Sequence, residues 1–162
     1  MVLTASRRRT ATSVGTLIIF ILVLVFGSPW YVTWVSHNAG ADTGWNLFLR
    51  TLAWPAWSFD SNMPVRDLLA NDLKAILLVV FTAAFLGVLA SAELARARGT
   101  FAALFTGWAA VIFAGALAGL VTAFLSVKAS PFTALTWAIG GAAYGLLVGW
   151  IIGLAQMGAR RP

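Results

Sequence analysis

Four stretches of this 162-residue chain are almost free of charge. The first lies between Arg9 and His37 and centres on 14–34. The second, 75–92, is bounded by Lys74 and Glu93. The third lies between Arg98 and Lys128 and centres on 101–124, and the fourth, between Lys128 and Arg160, centres on 133–154. A hydrocarbon core ~30 Å thick is crossed by about 20 helical residues, so each run is long enough or nearly so. Backbone groups left unpaired in lipid cost several kcal/mol each, which makes helices the expected form. A barrel would show apolar and polar residues alternating over segments of about ten residues, and no such pattern occurs. The expected fold is an all-α integral membrane protein, a four-transmembrane-helix bundle in one membrane domain, 1–162.

Composition closes off the alternatives. Charged residues make up 10% of the chain, hydrophobic residues 60%, and mean hydropathy is +0.89. A soluble domain carries about 25% charged residues, so this chain lacks the means to cover a water-facing surface. Disorder requires low hydrophobicity and high charge. Arg7, Arg8 and Arg9 precede the first run, and no small-x-small cleavage site appears before Trp30. An uncleaved signal-anchor helix is therefore expected.

The placement of charge predicts orientation. Segments 1–13, 93–100 and 155–162 hold Arg7, Arg8, Arg9, Arg96, Arg98, Arg160 and Arg161 against Glu93 alone. The other connections hold Arg50, Arg66, Lys74 and Lys128 against Asp42, Asp60, Asp67 and Asp72. The whole excess of +6 thus falls on one side. Positive residues favour the cytoplasmic side, so both termini are expected inside, N-in and C-in. Trp30, Trp34, Trp45, Trp54, Trp57 and Trp137 then fall near the outer interface, where indoles prefer to sit.

The first outer loop, 36–74, is long enough to need structure of its own. Trp45, Phe48, Leu49 and Leu52 recur at helical spacing. Asp42 and Thr43 can cap this helix and Pro55 ends it, predicting a short helix lying in the outer interface. A second start, Ser61-Asn62-Met63-Pro64, is expected to lead into the second span.

The fourth run contains Gly141, Gly145, Gly149 and Gly153, one every four residues, and the third contains Gly115 and Gly119, with Gly107 two turns earlier. Small residues let helix backbones approach closely in lipid. Packing between spans three and four is the simplest expectation, and a homo-oligomer or a docking face for a partner membrane protein is the sharper one. No Asp, Glu, Lys, Arg or His lies within a span core, which argues against proton relays and ion paths. Thr16, Ser28, Thr82, Thr106, Thr122, Thr136 and Tyr144 are the polar span residues, and packing is their expected role.

Absent residue types limit the chemistry. With no cysteine and a single histidine, His37, thiol chemistry, Fe–S clusters and multi-histidine metal sites are unavailable. No cofactor and no metal are expected. His37, Asn38, Asp42, Asp60, Asp67 and Asp72 cluster in the outer loop, where a histidine–carboxylate pair could do acid–base work or carboxylates could hold Ca²⁺. Their spacing matches no catalytic motif. The segment Trp54-Pro55-Ala56-Trp57-Ser58-Phe59 suits a lipid, a hydrophobic ligand or a partner's span. Trp45, Arg50, Trp54 and Trp57 are the expected contacts, Arg50 suiting an anionic head group.

The expected function is therefore non-enzymatic: an accessory, scaffolding or assembly subunit packing through its glycine face. A channel-, holin- or permease-like oligomer is the first alternative, and a membrane enzyme using the outer acids the second. Expected partners are the bilayer and either further copies or another membrane protein. Nucleic acid is not expected, because no basic soluble domain exists. Ala, Gly, Arg and Trp are frequent and lysine is rare, a usage typical of high-GC bacteria. The expected location is the bacterial cytoplasmic membrane, with several spans and both termini cytoplasmic.

Overall fold

The computed structural model describes residues 2–40, 43–60, 62–93 and 100–159, with side chains for 12–40, 43–60, 62–89 and 101–158. Six helices follow one another: α1 (Val2–Phe26), α2 (Pro29–Asn38), α3 (Gly44–Leu52), α4 (Val65–Glu93), α5 (Thr100–Ala123) and α6 (Pro131–Ala159). Among the described residues there is no strand. Three stretches, Val65–Leu89, Phe101–Ala123 and Pro131–Gly158, are long and apolar enough to cross a membrane. Thr12–Phe26 and Pro29–Asn38 satisfy the same measure only as a pair, and they meet at 58°.

That bend divides the run expected over 14–34 into two helices, and Pro29 is the reason. Proline has no N–H, so the carbonyl four residues earlier loses its donor. The Ser28 hydroxyl takes over, donating to the Val25 carbonyl at 2.7 Å. The same oxygen accepts the Tyr31 N–H at 3.3 Å, capping α2. This leaves the Gly27 carbonyl to the Trp57 backbone N–H at 3.0 Å. The Val23 carbonyl accepts both the Gly27 N–H at 2.9 Å and the Trp57 indole N–H at 3.2 Å. Glycine is required at the break: a Cβ on Gly27 would stand 2.5 Å from the Pro55 carbonyl oxygen. The aromatic–proline segment therefore closes over the break in α1–α2.

The Thr43 hydroxyl caps α3, accepting the Asn46 N–H at 3.3 Å. Asp42, the other expected cap, and Ser61, in the expected start of the next helix, lie outside the described residues. Leu52 is buried, and Phe48 and Leu49 pack against the core. The Tyr31 hydroxyl ties α2 to α3 by donating to the Leu49 carbonyl at 3.1 Å. The first turn of α4 bonds to the Pro64 carbonyl through Asp67 and Leu68, and the helix then runs unbroken to Glu93.

The core gathers Ile19 and Val23 from α1, Leu78 and Leu86 from α4, Val111 and Ala114 from α5, and Tyr144, Val148 and Ile152 from α6. Among apolar surroundings such contacts act through close packing, because lipid tails are as apolar as leucine. The threonines bond back within their own helices. Thr16, Thr82, Thr106, Thr122 and Thr136 each donate to the carbonyl four residues earlier in their own helix, at 2.7–2.9 Å.

Candidate functional site

The glycine stripe of α6 is met by α5 of the same chain. A Cβ on Gly115 or on Gly141 would run into the other's carbonyl oxygen, and one on Gly119 into the Trp137 carbonyl. On Gly145 it would lie 2.5 Å from the Ile112 Cα, and on Gly149 2.7 Å from the Trp108 ring. Gly153 faces the Leu104 carbonyl, and a Cβ on Gly107 would lie 2.8 Å from the Gly153 Cα. Residues 141, 145, 149 and 153 thus meet 115, 112, 108 and 104 in reverse order, as antiparallel neighbours. The Trp108 indole N–H locks the seam by donating to the Leu146 carbonyl at 2.9 Å. All seven glycines singled out in the sequence are buried, packed against the chain's own helices.

A buried cation stands where α4 meets α6 and the segment after α3. Lys74 is only 7% exposed. Its ammonium donates to the Asn71 side-chain oxygen at 3.1 Å and sits 5.2 Å from the Trp54 ring centre and 4.9 Å from that of Trp137. No carboxylate of the described residues pairs with it. Two indole faces replace the usual counter-ion, a cation–π arrangement that strengthens when water is excluded. Trp54 in turn lies 5.9 Å from the Tyr144 ring, tilted by 30°. It reaches there because residues 140 and 141 are glycines: a Cβ on Gly140 would be 2.7 Å from the Trp54 indole nitrogen. The Tyr144 hydroxyl is buried without a hydrogen-bond partner.

The acids expected to supply chemistry are dispersed. Asp67 accepts the Val127 N–H at 2.9 Å, while neighbouring Arg66 donates from Nε to the Leu125 carbonyl at 3.2 Å. Together they hold the start of α4 to the end of α5. Asp72 accepts the Ser58 N–H at 2.9 Å. Asp60 accepts from the backbone and side chain of Asn62. His37 and Asn38 are exposed at the end of α2. Among the described residues no group of three His, Cys, Asp or Glu could hold a metal. Asp42, Arg96, Arg98, Arg160, Arg161 and the side chains of Arg7, Arg8, Arg9 and Glu93 lie outside the described residues.

The four expected contact residues divide into two pairs. Trp54 and Trp57 are half-buried and serve the chain itself, one against Lys74 and the other against the Val23 carbonyl. Trp45, 67% exposed, and Arg50 face outward from α3. Reading the sequence also missed Gln156, a buried polar side chain whose amide nitrogen would lie 2.7 Å from a Cβ on Gly15. Its signal was the pair of small residues, Gly15 and Gly107, that face it across two other helices.

One side of the bundle stays open. Between α1 and α4 runs a groove of about 490 Å³, lined by Phe20, Leu24, Ile76 and Val80 and ending at Trp57, Phe59 and Asp72. A second hollow of about 440 Å³ continues it along α1 past Thr12, Ser13 and Thr16, sharing Phe20 and Val79. No protein-family model, curated protein or solved structure matches the chain.

Proposed function

We propose that this chain is a non-enzymatic, multi-span membrane protein that serves as an accessory or scaffolding subunit. In this reading the broken pair α1–α2 is the first of four spans, 14–34, 75–92, 101–124 and 133–154, in a single domain. Both termini are cytoplasmic, in a bacterial inner membrane, and α3 lies in the outer interface within the loop 36–74. The one-sided excess of arginine supports the orientation. For α3 the support is its division: Leu52 turns inward, while Trp45 and Arg50 face out.

The observation that carries the function is the use of the loop's charged groups. Asp67, Asp72, Arg66 and Lys74 each bind a backbone group or side chain that holds two elements together. They behave as fasteners of a rigid cap and do not converge on a common point. With the glycine seam closed inside the chain, the surface left for assembly is the exposed aromatic face of the cap, Trp30, Trp34 and Trp45, with Arg50.

Native-membrane nanodiscs test the assembly. The protein is expected in a particle holding more protein than one 17.2 kDa chain. The triple variant W34A/W45A/R50A should release the single chain without lowering its melting temperature. A wild-type protein that is alone in such discs defeats the scaffold reading. For orientation, a cysteine in S58C should react with an impermeant reagent in intact cells and one in A97C should not; the opposite pattern reverses the topology.

A further inference from the structure

We propose that Lys74 and Asn71 form an anion site at the junction of α4, α6 and the segment after α3, and that its ligand is a phosphate oxyanion. Both residues sit on one face of α4, three positions apart. Lys74 is 7% exposed, and its ammonium gives one N–H to the Asn71 side-chain oxygen at 3.1 Å. An ammonium has three such donors, so two remain. The Trp54 and Trp137 rings, centred 5.2 and 4.9 Å away, attract the charge but carry no oxygen to accept its N–H groups. Asn71 accepts through Oδ1, and among the described residues nothing accepts from its amide nitrogen. The junction thus holds a buried cation and two kinds of spare donor, with no acceptor left to meet them.

A buried charge is costly unless it is paired and hydrogen-bonded. The described carboxylates at the start of α4 are committed elsewhere: Asp67 accepts the Val127 N–H and Asp72 the Ser58 N–H, each at 2.9 Å. The acceptor that completes the junction therefore comes from outside the described chain. Its donors suit an ion with more than one oxygen, one for the ammonium and one for the amide. Position favours phosphate. Lys74 is the last charge before the charge-free run 75–92, the level at which a bilayer carries its phosphate headgroups. Asn71 and Trp137 are only half-buried, so the junction is enclosed without being sealed. A lipid phosphate and free phosphate offer it the same oxygens.

Two measurements on the detergent-purified full chain at neutral pH decide this and separate the sources. Native mass spectrometry compares phosphatidylglycerol with diacylglycerol of identical tails, which lacks the phosphate. One phosphatidylglycerol per chain is expected to be retained about tenfold more strongly, the scale of one hydrogen bond to a charged group. K74M should remove the preference. K128M, which deletes an exposed cation and changes the net charge equally, should keep it. N71L leaves the cation and removes the amide donors; it should lower the preference about threefold, and it decides the case should K74M fail to fold. Thermal unfolding at constant ionic strength with millimolar inorganic phosphate is the second measurement. A melt raised by phosphate in the wild type and not in K74M, with the two lipids retained equally, assigns the site to free phosphate. A lipid preference with no such rise assigns it to the headgroup. Equal retention with no phosphate-dependent melt overturns the proposal, as does a preference that survives in K74M, is untouched in N71L or falls equally in K128M.

Discussion

The α5–α6 seam and the α1–α4 seam both join long helices and have opposite designs. Along the first, glycines at every turn bring backbone onto backbone, and an indole N–H fastens the ridge. Along the second, Phe20, Leu24, Ile76 and Val80 hold the helices apart and leave a continuous hollow. In water both would be driven shut by apolar burial. Among lipid tails that drive is missing, so close packing relies on small residues, and where bulky side chains face one another the seam stays open. Glycine spacing therefore separates a closed structural face from an open one.

The sharpest way to break this contrast is to insert bulk on the closed side. G141L should cost more than ~3 kcal/mol or abolish folding, since the new side chain meets Gly115 backbone; thermal unfolding in detergent reads the loss. An unchanged melt would mean that the seam has room after all.

Next in size is the clamp between the two seams. K74A should cost about 1–3 kcal/mol by emptying the space between two indoles and leaving Asn71 without its donor. K74R, which keeps the cation, should recover most of it in the same unfolding measurement. Equal losses in both would show that fit, and not charge, holds the cap.

A smaller effect is expected at the break in α1–α2. W57F keeps the aromatic bulk and removes the donor to the Val23 carbonyl, for about 1 kcal/mol. Limited proteolysis within 53–60 should accelerate to match. Smallest of all is I76A on the open seam, expected within ~0.5 kcal/mol of wild type because its side chain is mostly exposed. A loss of 2 kcal/mol or more there would make the open side as tightly packed as the closed one.

Much of the helical architecture could be read from the chain, because it rests on local rules. Charge-free runs mark the long helices, Thr43 and Pro55 bracket α3, and four-residue glycine spacing marks a close approach. What could not be read depends on distant partners. Pro29 announces a break, yet the donors that make it tolerable come from Trp57, about thirty residues on. Lys74 counts in sequence as one more loop charge, and only Trp54 and Trp137, from either side of it, bury it. Asp67 looked like a candidate for acid–base work, but its partner is an amide at Val127. The groove escaped notice because it depends on how α1 and α4, far apart in sequence, are set against each other.

The break in α1–α2 has a consequence for the order in which the chain can be made. The Gly27 carbonyl takes its donor from Trp57, a residue the ribosome reaches some 30 codons later. At ~5–20 residues per second that delay is roughly 1.5–6 s. On the proposed four-span reading, the first helix would until then enter the membrane with that carbonyl wet or unpaired, a state hydrocarbon penalises by several kcal/mol. On that reading the first helix is expected to stay near water, or with the insertion machinery, until the aromatic segment arrives. The loop's earliest task is to complete the helix that preceded it.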